Sequence, residues 1–238
     1  MDFNKIFRPK VALPPLITTV ALIFRLIPPM RFKYLLGYDP YFHLAYIEEA
    51  LKAGKWFNFL TIAGGPWGGF QVRHFHPPLG LWAAPAYVYK TLKIFGISLY
   101  NAFRITPVIF GVLTVVLFYL ALLKLYGEKG AFFASLFLAV SFGHVFRSMA
   151  GYYRGDNYML FWYSVALFGI ALAMEKKHPR WRYKRLAFYV IPALASGFAA
   201  AFWQAYYPIF VFLLANGGVF LGGWALFSSA GTSTSSTG

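Results

Sequence analysis

Three observations predict an all-α polytopic membrane protein. Of the 238 residues, 59% are apolar and only 12% are charged. A soluble domain has roughly 45–50% and about 25%. Mean hydropathy is +0.57. Six stretches are apolar and long enough to cross a bilayer as helices, which takes about 20 residues. One soluble core of this size cannot hide such an excess. A disordered chain, a coiled coil and a disulfide scaffold are excluded as well. Cysteine is absent, so there is no disulfide, thiolate metal site or Cys nucleophile.

The six stretches are 11–30, 103–126, 130–147, 158–175, 187–206 and 208–227. The first is flanked by proline pairs and lacks a small-residue cleavage site, so it reads as a span and not a cleaved signal. A seventh stretch, 79–96, contains Pro85, Lys90 and Lys93 and reads as an interfacial or partly buried helix. Charge decides that reading. With Lys5, Arg8 and Lys10 inside, six spans put the basic loop at 175–186 inside too, as the positive-inside rule requires. A full span at 79–96 would put it outside.

The predicted organisation follows. Residues 1–30 form a cytoplasmic N-terminus and the first span. Residues 31–102 form a long external loop with short helices and the interfacial helix. Residues 103–227 form a five-span bundle. Residues 228–238 are a Ser/Thr-rich tail expected to be disordered. Within the external loop, Asp39-Pro40 precedes an apolar-periodic run that ends at Gly54. It reads as a helix with Asp39 as N-cap, Pro40 at the first position and a Glu48–Lys52 pair. The chain is expected to be a multi-pass protein of the cell membrane.

Net charge is +15, from 22 Lys+Arg against 7 Asp+Glu. In a soluble protein that balance would suggest nucleic acid. Here it reads as membrane topology or as attraction to an anionic lipid phosphate. No Walker loop, Gly-x-Gly-x-x-Gly or Ser nucleophile pattern is present, and no nucleic-acid partner is expected.

Seven acids can be sorted singly. Asp2, Glu128 and Glu175 fall on the cytoplasmic side, and Glu48 and Glu49 on a solvated helix face. Asp39 and Asp156 remain, both external and both at a membrane boundary. Such a pair can bind Mn²⁺ or Mg²⁺, which favour hard oxygen ligands and often take one or two carboxylates plus phosphate oxygens. Each also directly precedes a predicted helix, so capping alone would account for it. One carboxylate has acceptor sites enough for both roles. His43 lies four residues after Asp39, on the same helical face, in a packing or hydrogen-bonding role. His74 and His76 lack a third ligand. Arg147 and Arg154 flank the second external loop, either as snorkelling cations or as guanidinium forks for a pyrophosphate. Trp203 lies in an aromatic stretch that an interfacial belt would explain.

Two motifs carry a resemblance: Gly37-Tyr38-Asp39-Pro40-Tyr41-Phe42-His43, and Arg147-Ser148-Met149-Ala150-Gly151 followed by Tyr152-Tyr153-Arg154-Gly155-Asp156-Asn157. Together with Trp203-Gln204-Ala205-Tyr206 they resemble the archaeal oligosaccharyltransferase catalytic subunit, a membrane glycosyltransferase of the GT-C type. The likeness extends from residue 1 to about 226. It implies a GT-C helix bundle and transfer of an oligosaccharide from a dolichol-phosphate or dolichol-diphosphate carrier to Asn of Asn-x-Ser/Thr. It implies Asp39 and Asp156 as catalytic metal ligands, with Mn²⁺ or Mg²⁺ as cofactor. Substrate contacts are expected from Arg147, Arg154, His76, Tyr158 and Trp203. The implied partners are the membrane, a lipid-linked oligosaccharide and an acceptor polypeptide, with the active face external.

The chain departs from the family in three ways. Tyr158 stands where a second acid or His is usual. Arg154-Gly155 looks like an insertion. The family's later external-loop Glu and its Trp-Trp-Asp-Tyr-Gly acceptor motif have no counterpart here. The chain therefore reads as the N-terminal membrane part of such an enzyme, inactive by itself. The alternatives are another polyprenyl-phosphate-sugar transferase of the GT-C type and a non-catalytic membrane subunit.

Overall fold

A computed structural model describes residues 9–56, 59–62, 70–73, 79–174 and 182–203, all of which belong to one compact unit. Helix α1 spans Pro9–Arg31 and runs through both proline pairs expected to flank it. Helix α2 spans Asp39–Ala53 and stops at Gly54, whose φ of 68° is the left-handed C-cap conformation. Lys52 bridges Glu48 at 3.1 Å and Glu49 at 3.0 Å, so the expected pair is a triad. The two carboxylates raise the pKa of the Lys52 ammonium by hydrogen bonding and charge.

Among the described residues the architecture is helical except for one two-stranded ribbon, which the all-α expectation did not include. Strand β1 (Phe59–Ile62) pairs antiparallel with β2 (Phe70–Arg73), Phe59 opposite Arg73 and Ile62 opposite Phe70. Both stretches mix aromatic and β-branched residues, which suit a pleated ribbon. Helix α3 follows at Leu79–Leu92. It buries Leu81, Trp82, Pro85 and Ala86, a spacing that keeps them on one face. The stretch 79–96, expected as an interfacial or partly buried helix, is α-helical over 79–92 with these four residues buried.

Helix α4 covers Leu99–Val140, capped by Ser98, whose hydroxyl accepts from the Asn101 amide at 3.3 Å. Gly127, with φ 79° and ψ −177°, interrupts it. It is thus two helices in succession, close to the first of the two stretches predicted there. The second stretch breaks early, at Ser141 (ψ 122°), and α5 occupies Phe142–Ser148. Helix α6 runs Gly155–Met174 and α7 Arg182–Ala200. The predicted fifth span therefore stops six residues short of 206. The stretch 208–227 and the tail 228–238 lie outside the described residues, as does most of the basic loop 175–186.

Among the described residues two helices, α4 and α6, are long and apolar enough to cross a membrane. Helices α1 and α7 carry shorter apolar segments, Leu13–Ile27 and Val190–Ala200. Ile17 and Ala21 of α1 bury against Val108, Val112 and Val115 of α4. Leu16, Ile23, Phe24 and Ile27 on α1, with Phe133 and Phe137 on α4, stay exposed. Such an outward apolar surface suits lipid.

Lipid tails are as apolar as leucine, so close packing through small residues must hold the helices together. Gly169 of α6 faces Pro192 of α7, where an added Cβ would lie 2.9 Å from the proline Cδ and 3.1 Å from Ile191 Cγ2. Neither neighbour can swing away as a long side chain would. Gly169→Val is expected to cost about 1–3 kcal/mol by overpacking, read as a lower apparent Tm in detergent by circular dichroism.

Candidate functional site at the two acidic stretches

The site is built on two irregular segments, 32–38 after α1 and 149–154 between α5 and α6. Each contains backbone polar groups that cannot stay unpaired near lipid. They satisfy one another. The Leu36 amide donates to the Gly151 carbonyl at 2.9 Å, and the Gly151 amide donates to the Arg104 carbonyl at 3.2 Å. The Arg104 guanidinium reaches the Phe32 carbonyl at 2.6 Å, and the Tyr100 hydroxyl donates to the Lys33 carbonyl at 2.6 Å. Both segments are thus pinned to the first turns of α4.

Asp39 is the first helical residue of α2 rather than its N-cap. Tyr38 holds the cap position in a helical conformation without a side-chain hydrogen bond. Its carbonyl receives the amides of Tyr41 at 3.1 Å and Phe42 at 3.3 Å. Pro40 makes the displacement possible, because it has no amide to satisfy. The Asp39 carboxylate is therefore exposed, at a helix N-terminus whose dipole favours negative charge.

Asp156 also lies inside its helix, in the first turn of α6. Its side chain is 15% exposed. One oxygen pairs with Arg147 Nη1 at 2.8 Å, and the other accepts the Asn157 amide at 3.1 Å. Arg147 Nη1 also donates to the Tyr152 hydroxyl at 2.9 Å. Neither aspartate is a cap, which is a correction to the spacing argument: α2 begins one residue before the expected first position, and α6 three residues before 158.

Arg154 lies two residues before Asp156. Its guanidinium is exposed and its pKa is raised, first by a hydrogen bond with Tyr152 and then by the charges of Tyr152, Asp156 and Asp39, while burial opposes. The two joined segments carry two hard carboxylates, Asp39 and Asp156, and Asp156 is paired with Arg147. This arrangement suits a small divalent cation that takes one or two carboxylates and completes its shell with phosphate oxygens. It does not suit a closed structural site, since no group of three His, Asp or Glu exists among the described residues.

The other expected residues separate. Tyr158 is fully buried, stacked on Phe202 with centroids 5.3 Å apart and beside Tyr153 at 5.5 Å. It backs the loop from the core. Trp203 is half-buried, and its Cβ sits where a side chain on Gly155 would be, 2.6 Å from the position of an added Cβ. Only glycine allows that approach beside Asp156. His76 lies outside the described residues. His43 accepts a hydrogen bond at Nδ1 from Trp82 Nε1 at 2.9 Å, the packing and bonding role its position suggests.

Sequence reasoning missed Tyr153. It is fully buried, stacks on Phe103 at 4.0 Å and donates its hydroxyl to the Leu81 carbonyl, tying the loop to α3. Its neighbour Tyr152 looks identical in sequence, so no local signal separates them. Burial pushes the Tyr153 phenol well above the ordinary tyrosine value. The unfolded chain loses this proton above about pH 10 while the native chain keeps it. Stability from this group is thus full below about pH 10 and falls above it, by about 1.4 kcal/mol per pH unit. Alkaline melts of Tyr153→Phe should lose stability less steeply than wild type over that range.

Comparison with known proteins identifies the fold and the family. Residues 29–222 match the family "Oligosaccharyl transferase STT3, N-terminal", and the chain belongs to that family. It is 70% identical over 201 residues to dolichyl-phosphooligosaccharide-protein glycotransferase 2 of Pyrococcus horikoshii, covering 84% of this chain and 26% of that protein. Among solved structures it resembles Archaeoglobus fulgidus oligosaccharyltransferase AglB in complex with an inhibitory peptide and a dolichol-phosphate. That match has a TM-score of 0.71 at 21% identity, over 90% of this chain and 26% of the other. It also resembles the same organism's oligosaccharyltransferase tethered to an acceptor peptide containing the NVT sequon, with a TM-score of 0.68 at 21% identity, over 86% and 25%. The chain spans about a quarter of the length of the curated relatives it matches.

Proposed function

We propose that this chain supplies the carrier-binding half of an oligosaccharyltransferase active site. The reaction transfers an oligosaccharide from a dolichol-phosphate or dolichol-diphosphate carrier to Asn of an Asn-x-Ser/Thr acceptor. The observation that carries this reading is the Leu36–Gly151 hydrogen bond, which joins the segment leading into Asp39 to the segment leading into Asp156, in a chain of this family. The names of the relatives supply the substrates: a dolichol-phosphate in one solved structure and an NVT peptide in another. The protein is a multi-pass protein of the cell membrane, with the two acidic stretches on its outer face.

Each residue has a physical role. Asp39 is exposed, with its carboxylate directed to no cap, and is the more available cation ligand. Asp156 is held by Arg147 and by the Asn157 amide, and its remaining acceptor sites can serve a cation. A bound Mn²⁺ or Mg²⁺ would supply Lewis-acid stabilisation of the leaving phosphate. Arg154 and the partly exposed Arg147 can offer planar guanidinium donors to phosphate oxygens. Trp203 places an indole beside the loop.

The test is transfer from a lipid-linked oligosaccharide to an Asn-x-Thr peptide. It is run on the 238-residue protein and on that protein extended with the remaining portion of the Pyrococcus horikoshii relative. The short protein is expected to form no glycopeptide, and the extended one to form it in a Mn²⁺-dependent way. Asp39→Ala and Asp156→Ala in the extended protein should each lower the rate by at least about 100-fold. Robust transfer by the short protein would overturn the division of labour. Unchanged rates in both variants would overturn the carboxylate roles.

A further inference from the structure

Arg25 lies within the apolar stretch of α1 and is completely buried. A cation in such a place is costly unless its donors are all met. Here four of its five N–H groups are met, all by neutral groups. Nε donates to Ser148 Oγ at 2.8 Å, Nη1 to the carbonyls of Ala21 at 2.9 Å and Ala139 at 3.0 Å, and Nη2 lies 2.7 Å from His144 Nδ1. The acceptors come from α1, the end of α4 and α5. Among the described residues no carboxylate pairs with it.

The knot is built tightly and from several elements. The Ser148 hydroxyl in turn donates a hydrogen bond to the His144 carbonyl at 2.5 Å. Gly111 of α4 leaves room for it. A Cβ there would lie 2.4 Å from Ser148 Cβ and 2.9 Å from Arg25 Nε. The Arg25 carbonyl also accepts the Ala150 amide at 3.1 Å. The next residue, Gly151, receives the Leu36 amide, three positions before Asp39. One residue thus grips the segment 148–150 through both its side chain and its backbone, between Arg147 on one side and the Leu36–Gly151 link on the other.

We infer that Arg25 is a positioning residue for the active site. It holds 148–151 against α1, so that the Leu36–Gly151 link and the Arg147–Asp156 pair sit at fixed places. Its planar fork suits the task. Four of its five N–H groups meet acceptors in different directions, whereas lysine offers three donors from a single point. The serine in Arg147-Ser148-Met149-Ala150-Gly151 thereby has a stated role as the Nε acceptor. That the positioned groups are catalytic rests on the reading of Asp39 and Asp156 given above.

Hydrogen exchange of the 238-residue protein in nanodiscs tests this without reference to activity. In Arg25→Met, peptides covering 32–38 and 148–154 should exchange at least tenfold faster, while peptides within 107–122 and 159–172 stay unchanged. Arg25→Lys should recover part of the protection. Ser148→Ala removes one acceptor only and should give about a threefold rise in the same two peptides, which keeps the test open if Arg25→Met does not fold. No local change in either variant, or equal loosening of all four regions, overturns the inference. A second arm measures Mn²⁺ affinity by electron paramagnetic resonance. It should weaken at least tenfold in Arg25→Met. A wild-type protein that takes up no Mn²⁺ counts against the metal reading alone, and the exchange result still decides the role of Arg25.

Discussion

The hydrogen bond from the Leu36 amide to the Gly151 carbonyl is what brings two distant acidic stretches into one place. Both segments are irregular and border apolar helices. Irregular backbone there must find partners within the protein. These two find each other and the start of α4, through Arg104 and Tyr100. Everything the site does follows from that pairing. Asp39 begins α2 three residues beyond Leu36, and Asp156 enters α6 five residues beyond Gly151. Arg154 precedes Asp156 by two residues in the same segment.

The two carboxylates are not equivalent. Asp39 is open to solvent at a helix start. Asp156 is mostly enclosed and already paired with Arg147. An ion pair with one exposed partner contributes little to stability, about 1 kcal/mol or less. Its larger effect is geometric, since it fixes which way the carboxylate oxygens point. Glycine plays the matching part on the apolar side. Gly155 lets Trp203 approach α6, and Gly111 lets Ser148 and Arg25 approach α4. In lipid, where apolar contact gives no preference for protein over solvent, such close approaches decide how helices associate.

Much of this was legible in the sequence, for identifiable reasons. Long apolar runs locate α4 and α6 because span length is set by the bilayer. Glu48 and Lys52 show their pairing through helical spacing alone. Asp39 and Asp156 stand out because acids are so few. What spacing could not reveal is register. Asp39 was one residue inside its helix because Pro40 shifts the start. Residues 59–62 and 70–73 form a ribbon too short to announce itself among loops. Tyr158 and Tyr153 turn inward while Tyr152 does not, which only tertiary packing decides. Arg25 is the instructive case. Averaged over twenty residues, a single cation disappears into an apolar run, yet a charge within such a run is the feature that asks for a partner.

The central claim is that Asp39 and Asp156 face one another across a single site. The absence of cysteine makes it directly measurable. In the otherwise unaltered protein, Asp39→Cys with Asp156→Cys forms one pair. Glu48→Cys with Asp156→Cys forms a control, because Glu48 lies about 13 Å further along α2 at 1.5 Å per residue. Treatment of both with a short bismaleimide, followed by intact-mass measurement, reports intramolecular bridging. The account predicts bridging of the 39/156 pair and little of the 48/156 pair. Equal bridging of the two, or bridging of the control alone, would contradict it.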